Sequence, residues 1–129
     1  VAAARANVAL ERPALRHRIV QAWTGLRLMR FTAMRTLSSI DSHGGEPGPE
    51  ASINKLFWAT WHRNLGELAM DVLGADATLA TDGGEGAQYE DALTAFQRLF
   101  LFTRSDTIYA GSNQIQRNII GERVLGLPK

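Results

Sequence analysis

Phe102-Thr-Arg-Ser-Asp-Thr-Ile-Tyr-Ala-Gly-Ser-Asn-Gln-Ile-Gln-Arg-Asn-Ile-Ile-Gly-Glu-Arg-Val-Leu-Gly-Leu-Pro-Lys129 closes the chain with a polar turn followed by a regular apolar pattern. Apolar residues separated by three or four positions line one face of a helix. They are Ile115, Ile119, Ile120 and Val124. The pattern predicts a helix from Ser112 to Leu125, which Gly126 and Pro128 stop.

The turn Gly111-Ser112-Asn113 marks the start of this helix. Glycine eases the turn, and either Ser112 or Asn113 is suited to cap the helix; Asn113 and Gln116 also have the spacing of a capping box. The first turn of a helix carries backbone N–H groups without partners, and these attract anions or polar ligand atoms. By local physics the turn is a cap, and a ligand contact is the alternative.

Three further helices are predicted upstream. Apolar stripes with helical spacing run over Pro13 to Ile40, about Glu50 to Leu73 and about Gln88 to Arg104. The glycine- and proline-rich stretch from His43 to Pro49 and the stretch from Ala75 to Gly86 read as connecting loops. Gly74 is suited to end the second helix.

No window of the sequence shows sustained strand alternation. The fold predicted for residues 1–129 is therefore all-α, an antiparallel four-helix-bundle-like domain. Residues Ala2 to Ala9 could be the end of a preceding helix. Because the chain does not begin with methionine, we expect it to be a piece of a longer polypeptide.

Composition narrows the function classes. The 129 residues are 45% hydrophobic and 21% charged, with a net charge of +1 and no cysteine. The near-neutral charge and scattered arginines give no argument for binding nucleic acid, and no cysteine chemistry is available. Arginines interrupt the longest apolar stretch, so we expect no membrane span and a cytoplasmic protein.

The three histidines, His17, His43 and His62, stand apart in the sequence. His43 lies in the glycine- and proline-rich loop, and neither His17 nor His62 has a second ligand at the three- or four-residue spacing that a helical metal site uses, so no metal site is predicted.

Tyr109-Ala-Gly-Ser-Asn-Gln-Ile-Gln-Arg117, followed by Glu122-Arg-Val-Leu-Gly-Leu-Pro128, resembles the C-terminal signature of the acyl-CoA dehydrogenases. The similarity extends back to Pro13 and covers the C-terminal helical domain of that family. These flavoenzymes introduce an α,β double bond into an acyl-CoA thioester. The electrons removed from the substrate pass through FAD to an electron-transfer flavoprotein. The resemblance also implies a dimer of dimers assembled through this domain.

The resemblance implies roles for the residues of the turn. Ala110 and Gly111 would line the substrate thioester, and Ser112, Asn113 and Gln114 would contact FAD. Many members carry a glutamate, the catalytic base, immediately before the Gly-Ser or Gly-Thr pair, and this chain has Ala110 there. Alanine has no titratable atom, so no catalytic residue is assigned within the chain.

Two explanations of the missing glutamate stay open. The base could lie on an earlier helix, as in some branched-chain and long-chain relatives. Alternatively, the subunit lacks a base and forms a mixed assembly with a related dehydrogenase subunit, a pattern that resembles bacterial members acting on bulky substrates such as sterol side chains. A helical interaction module without flavin is a third possibility.

A second departure concerns the end of the helix predicted at Leu73. The family commonly has a Gly-Gly-x-Gly pattern there, which helps to hold the FAD of a neighbouring subunit. This chain reads Leu73-Gly-Ala-Asp76, and an acidic residue is a poor neighbour for a pyrophosphate. The departure puts cross-subunit FAD binding in doubt and suits a mixed assembly.

Overall fold

A computed structural model describes residues 9–42, 45, 51–80 and 93–128. Four α-helices lie in these ranges: α1 (Pro13–Ser42), α2 (Ala51–Leu73), α3 (Ala95–Phe102) and α4 (Asn113–Arg123). Short 3-10 helices occupy Ala9–Glu11, Gly74–Thr78 and Ser105–Thr107. Within the described ranges all regular structure is helical, which confirms the predicted all-α class. The possible helix at Ala2 to Ala9 lies almost wholly outside the described residues.

Helix α2 is the centre of the fold, because it packs against α1, α3 and α4. It runs antiparallel to α1: Arg18 near the start of α1 pairs with Asp71 near the end of α2. The small core between them is formed by Leu15 and Leu68, which are 4% and 6% exposed. Leu10, Ile19, Ala22 and Val72 surround this pair.

Helix α3 is shorter than the sequence predicts. It begins at Ala95, and the preceding Thr94 is its N-cap. The Thr94 hydroxyl accepts a hydrogen bond from the Gln97 backbone N–H, and the Gln97 side chain accepts one from the Thr94 backbone N–H, a complete capping box. Leu93 therefore lies outside the helix, whereas the predicted residues 88–92 lie outside the described part of the chain.

Trp61 fixes the crossing of α1 and α2. Its indole Nε1–H donates to the Ala22 carbonyl at 2.8 Å. The ring also lies over Gly25, where an added Cβ would come within 2.5 Å of Trp61 Cδ1. Glycine inside a helix is mildly unfavourable, but the close approach of Trp61 requires it at position 25.

Replacing Trp61 with phenylalanine is expected to lower the free energy of unfolding by about 1 kcal/mol, because the hydrogen bond is lost and the smaller ring packs less well. Trp23→Phe is the matched control: Trp23 is 59% exposed, so its replacement should change stability by less than about 0.5 kcal/mol. Thermal unfolding followed by circular dichroism compares the two. Equal midpoints for both variants would contradict the role of Trp61.

Candidate functional site

The turn before α4 has an unusual backbone. Ala110 has a φ of 52° and Gly111 a φ of 89°, so both lie in the left-handed region. For a residue with a Cβ this conformation costs about 1–2 kcal/mol, and it persists only where the surrounding structure enforces it. Upstream, the backbone N–H groups of Ile108 and Tyr109 both donate to the Ser105 carbonyl. Ala110 thus occupies the position of the family glutamate in a strained backbone.

The start of α4 settles which residue caps it. Ser112 has an extended backbone, and its hydroxyl accepts a hydrogen bond from the Ile115 N–H at 3.4 Å. The capping box suggested by Asn113 and Gln116 is wrong, because Asn113 is already helical. The Gln116 side chain instead donates to the Ala110 carbonyl at 3.2 Å and so closes the turn.

Helix α2 holds the turn at several points. Asn113 Nδ2 donates to the Thr60 hydroxyl at 3.3 Å, which ties the first turn of α4 to α2. Trp58 meets the Tyr109 ring edge to face, with ring centres 6.5 Å apart. These contacts hold Tyr109 and Asn113, on either side of the turn, against one helix.

Asp106 is the main charged group beneath the turn, and its side chain is completely buried. Its Oδ2 lies 2.6 Å from His62 Nδ1, and its backbone carbonyl accepts a hydrogen bond from Lys55 Nζ at 2.6 Å. This pair could not be predicted from the sequence, since His62 and Asp106 are 44 residues apart. The one local feature that points to Asp106 is its place, as an acidic residue, in the short segment between two apolar helices.

The Asp106 carboxylate also affects the pKa of Tyr109. Partial removal from water, and then the neighbouring carboxylate of Asp106, raise the pKa of Tyr109 above its usual 10.0. Lys55 Nζ lies 5.4 Å from the centre of the Tyr109 ring and packs over its face. Tyr109 is 44% exposed, so its hydroxyl can be titrated directly.

We expect Tyr109 to ionise above pH 10.0 in an ultraviolet difference titration of the native protein against Tyr109→Phe. A raised folded-state pKa means that the folded state keeps its proton longer than the unfolded chain. The associated stability is present below pH 10.0 and is lost as the pH rises through the folded-state pKa. Asp106→Asn should move the pKa of Tyr109 back toward its usual value. Ionisation of Tyr109 at or below that value in the native protein would contradict this expectation.

An open cleft of about 410 Å³ lies beside the turn. All three predicted cofactor residues line it, whereas the predicted substrate residues Ala110 and Gly111 are not among its lining. The lining residues are Thr60, Arg63, Thr107, Ile108, Ser112, Asn113, Gln114 and Arg117. The cleft therefore combines a helix N-terminus with two guanidinium groups, an arrangement suited to an anionic ligand.

Two buried polar atoms at this cleft form no hydrogen bond within the described residues: Arg63 Nε, a donor, and Asn113 Oδ1, an acceptor. Arg63 Nε has only a long ion pair, 3.9 Å from Glu67 Oε1. Buried polar groups are normally satisfied by protein, water or a ligand. A bound group with both donors and acceptors near phosphate fits this pattern, and FAD has such groups.

The segment after α2 is held by hydrogen bonds from α3. Gly74 has a φ of 64° and begins the 3-10 helix that ends at Thr78. The buried Gln97 side chain donates to the carbonyls of Ala77 and Leu79, at 2.9 and 2.7 Å. These carbonyls are thus engaged within the chain, and Asp76 is exposed.

Two further features can be stated for the described residues. None of their His, Asp and Glu side chains form a group of three that could hold a metal ion. None of their helices is both long and apolar enough to cross a membrane.

Comparison with known proteins identifies the family. The sequence model of one protein family, described as acyl-CoA dehydrogenase, C-terminal domain, matches residues 2–125 of the chain. The chain is 51% identical over 126 residues to acyl-CoA dehydrogenase IpdE1 of Mycobacterium tuberculosis, covering 98% of this chain and 30% of that protein. It is 49% identical over 126 residues to acyl-CoA dehydrogenase IpdE1 of Mycolicibacterium smegmatis, covering 98% and 29%.

A more distant relative is acyl-CoA dehydrogenase FadE34 of Mycobacterium tuberculosis, 30% identical over 95 residues that cover 74% of this chain and 12% of that protein. No solved structure matches the chain significantly. The chain spans less than a third of the length of the IpdE1 proteins it matches. On this evidence it belongs to the acyl-CoA dehydrogenase family, of which it forms the C-terminal domain.

Proposed function

We propose that the full-length protein is an FAD-dependent acyl-CoA dehydrogenase, which introduces an α,β double bond into an acyl-CoA thioester, and that its catalytic base lies outside this chain. The observation that carries the proposal is the convergence of Ser112, Asn113 and Gln114 on one cleft with Arg63 and Arg117, directly after the left-handed turn. A bound FAD would supply the acceptor for the hydride of the β-carbon.

In this proposal the residues of this chain bind and orient the cofactor and the substrate. Ser112, Asn113 and Gln114 offer backbone N–H groups and side-chain amides at the start of α4, where a helix dipole favours negative charge. Arg63 and Arg117 supply positive charge for a phosphate. Ala110 and Gly111 hold the backbone beside the thioester. An electron-transfer flavoprotein as acceptor, oligomeric assembly and a cytoplasmic location complete the proposal.

The buried carboxylate does not replace the missing glutamate. Asp106 lies only four residues before Ala110, but its side chain is completely buried and bonded to His62. A base must reach the proton that it removes. The proposal therefore places the base on a part of the protein upstream of this chain.

A second candidate function is a non-catalytic subunit of a mixed acyl-CoA dehydrogenase assembly. Two observations favour it: Ala110 at the position of the glutamate, and the exposed Asp76 in the segment Gly74–Thr78, which would repel a pyrophosphate. In that arrangement the partner subunit supplies the base.

The visible absorption spectrum of the full-length protein separates these functions. The protein is purified alone and after co-expression with a related dehydrogenase subunit encoded nearby, and each sample is then mixed with an acyl-CoA. A flavin spectrum that bleaches with the protein alone supports the self-sufficient enzyme. Colour and bleaching only after co-expression support the mixed assembly. A colourless protein in both samples would contradict both proposals and leave a helical interaction module without flavin.

A further inference from the structure

The buried carboxylate of Asp106 constrains the chain just before the turn. Its Oδ2 is 2.6 Å from His62 Nδ1, whereas its Oδ1 has no hydrogen-bond partner within the described residues. A carboxylate removed from water is costly unless it is paired. The contact with His62 thus determines where the 3-10 helix Ser105–Thr107 can lie.

His62 is held firmly on its own side of this contact. Its ring stacks on Trp58 with centres 5.5 Å apart and lies nearly parallel to Trp61 at 6.1 Å. Trp61 is itself bonded to the Ala22 carbonyl of α1. The imidazole side chain is only 20% exposed, so its Nδ1 is a well-placed donor rather than a mobile one.

Lys55 provides a second attachment to the same residue. Its ammonium donates to the backbone carbonyl of Asp106, whereas His62 binds the side chain. Lys55 and His62 lie seven positions apart on α2, about two helical turns. One restrains the backbone of Asp106 and the other its side chain, so the residue is held from two sides.

We infer that His62 is a positioning residue: through Asp106 it holds the turn from Ala110 to Asn113 in the arrangement that presents the start of α4 to the cleft. The left-handed backbone of Ala110 needs such enforcement. Gln116 and Thr60 hold the downstream side of the turn, and the His62–Asp106 pair holds the upstream side. The nature of the ligand rests on the proposed function, but the positioning rests on the geometry of this chain.

Three variants of the full-length protein test this role. His62→Phe keeps an aromatic ring against Trp58 but removes the donor. His62→Asn keeps a donor near the position of Nδ1. The double variant His62→Phe, Asp106→Leu removes both polar partners and leaves neither unpaired, so its folding penalty should be small. His17→Phe on the exposed face of α1 is the matched control.

Flavin fluorescence titration and thermal unfolding are measured for each variant. We expect His62→Phe to weaken FAD binding by about tenfold or more, and His62→Asn to restore most of that loss. The double variant should recover thermal stability but not FAD affinity, which a purely structural role would not produce. Wild-type affinity in His62→Phe, or joint recovery of stability and affinity in the double variant, would overturn the inference.

Hydrogen exchange measured by mass spectrometry tests the positioning role of His62 without a ligand. Peptides spanning Ala110 to Asn113 should exchange faster in His62→Phe and in the double variant, whereas peptides of α1 should not change. Unchanged exchange at the turn would overturn the positioning role. Failure of the wild-type protein to take up FAD would count against the proposed function alone, because the exchange experiment still reports on His62.

Discussion

Gly111→Val is expected to abolish flavin binding by the intact protein while its helices stay folded. Gly111 has a φ of 89°, a conformation that β-branched residues strongly disfavour. An added Cβ would also approach Gln116 Nε2 to 2.8 Å and displace the hydrogen bond from that amide to Ala110. The turn would then have to rearrange, and we expect affinity for FAD to fall by at least about a hundredfold, or ~2.7 kcal/mol.

Gly126→Val is the matched control for this experiment. Gly126 also has a left-handed backbone, with a φ of 67°, but no atom lies within 4 Å of its missing Cβ. Gly126→Val therefore introduces backbone strain like that of Gly111→Val, but it causes no clash within the turn. The flavin spectrum and circular dichroism of both variants are compared with wild type. A wild-type flavin content in Gly111→Val would exclude the turn from the binding site.

Gly66→Ala is expected to destabilise the domain by about 2 kcal/mol, although alanine is a better helix former than glycine by ~1 kcal/mol. Gly66 lies where α2 crosses α3. Its added Cβ would come within 2.5 Å of Thr103 Oγ1 and 3.1 Å of Phe100 Cα. Thr103 is completely buried and Phe100 Cα belongs to the backbone, so neither can easily move. The helices would be forced apart just before the segment that leads to Asp106.

Gly121→Ala on α4 provides the opposite case. The nearest atom to its added Cβ is Leu127 Cδ1 at 3.7 Å, an ordinary contact. Here the helix preference of alanine should act alone and raise stability by about 0.5–1 kcal/mol. Thermal unfolding midpoints should therefore move in opposite directions for the two substitutions. A rise in both would contradict the tight crossing at Gly66.

The long helices could be predicted from the sequence because their apolar stripes are long and their ends carry strong signals. The first was predicted from Pro13 to Ile40 and extends from Pro13 to Ser42, and the second was predicted to begin at Glu50 and begins at Ala51. The third was predicted too long because Leu93 continues the apolar spacing, whereas the capping box of Thr94 and Gln97 starts the helix later. A side-chain cap outweighed hydrophobic periodicity there.

Only the part of the candidate site formed by consecutive residues could be predicted from the sequence. Ser112, Asn113 and Gln114 were expected at the start of a helix, and they line one cleft there. The contacts from α2 were not predictable, because Lys55, His62 and Asp106 meet only through tertiary packing. His62 in particular has no charged residue three or four positions away on its helix, so its pairing with Asp106 could not be predicted from the sequence.

The left-handed backbone at Ala110 also bears on the thermodynamics of ligand binding. A flexible loop that orders on binding loses conformational entropy, and this loss weakens affinity. Here the chain's own hydrogen bonds from Gln116 and Asn113 hold the bend, and alanine narrows the conformations open to the unfolded chain more than glycine would. A ligand that settles on this turn meets a preorganised surface, so little of its binding free energy is spent on ordering the protein.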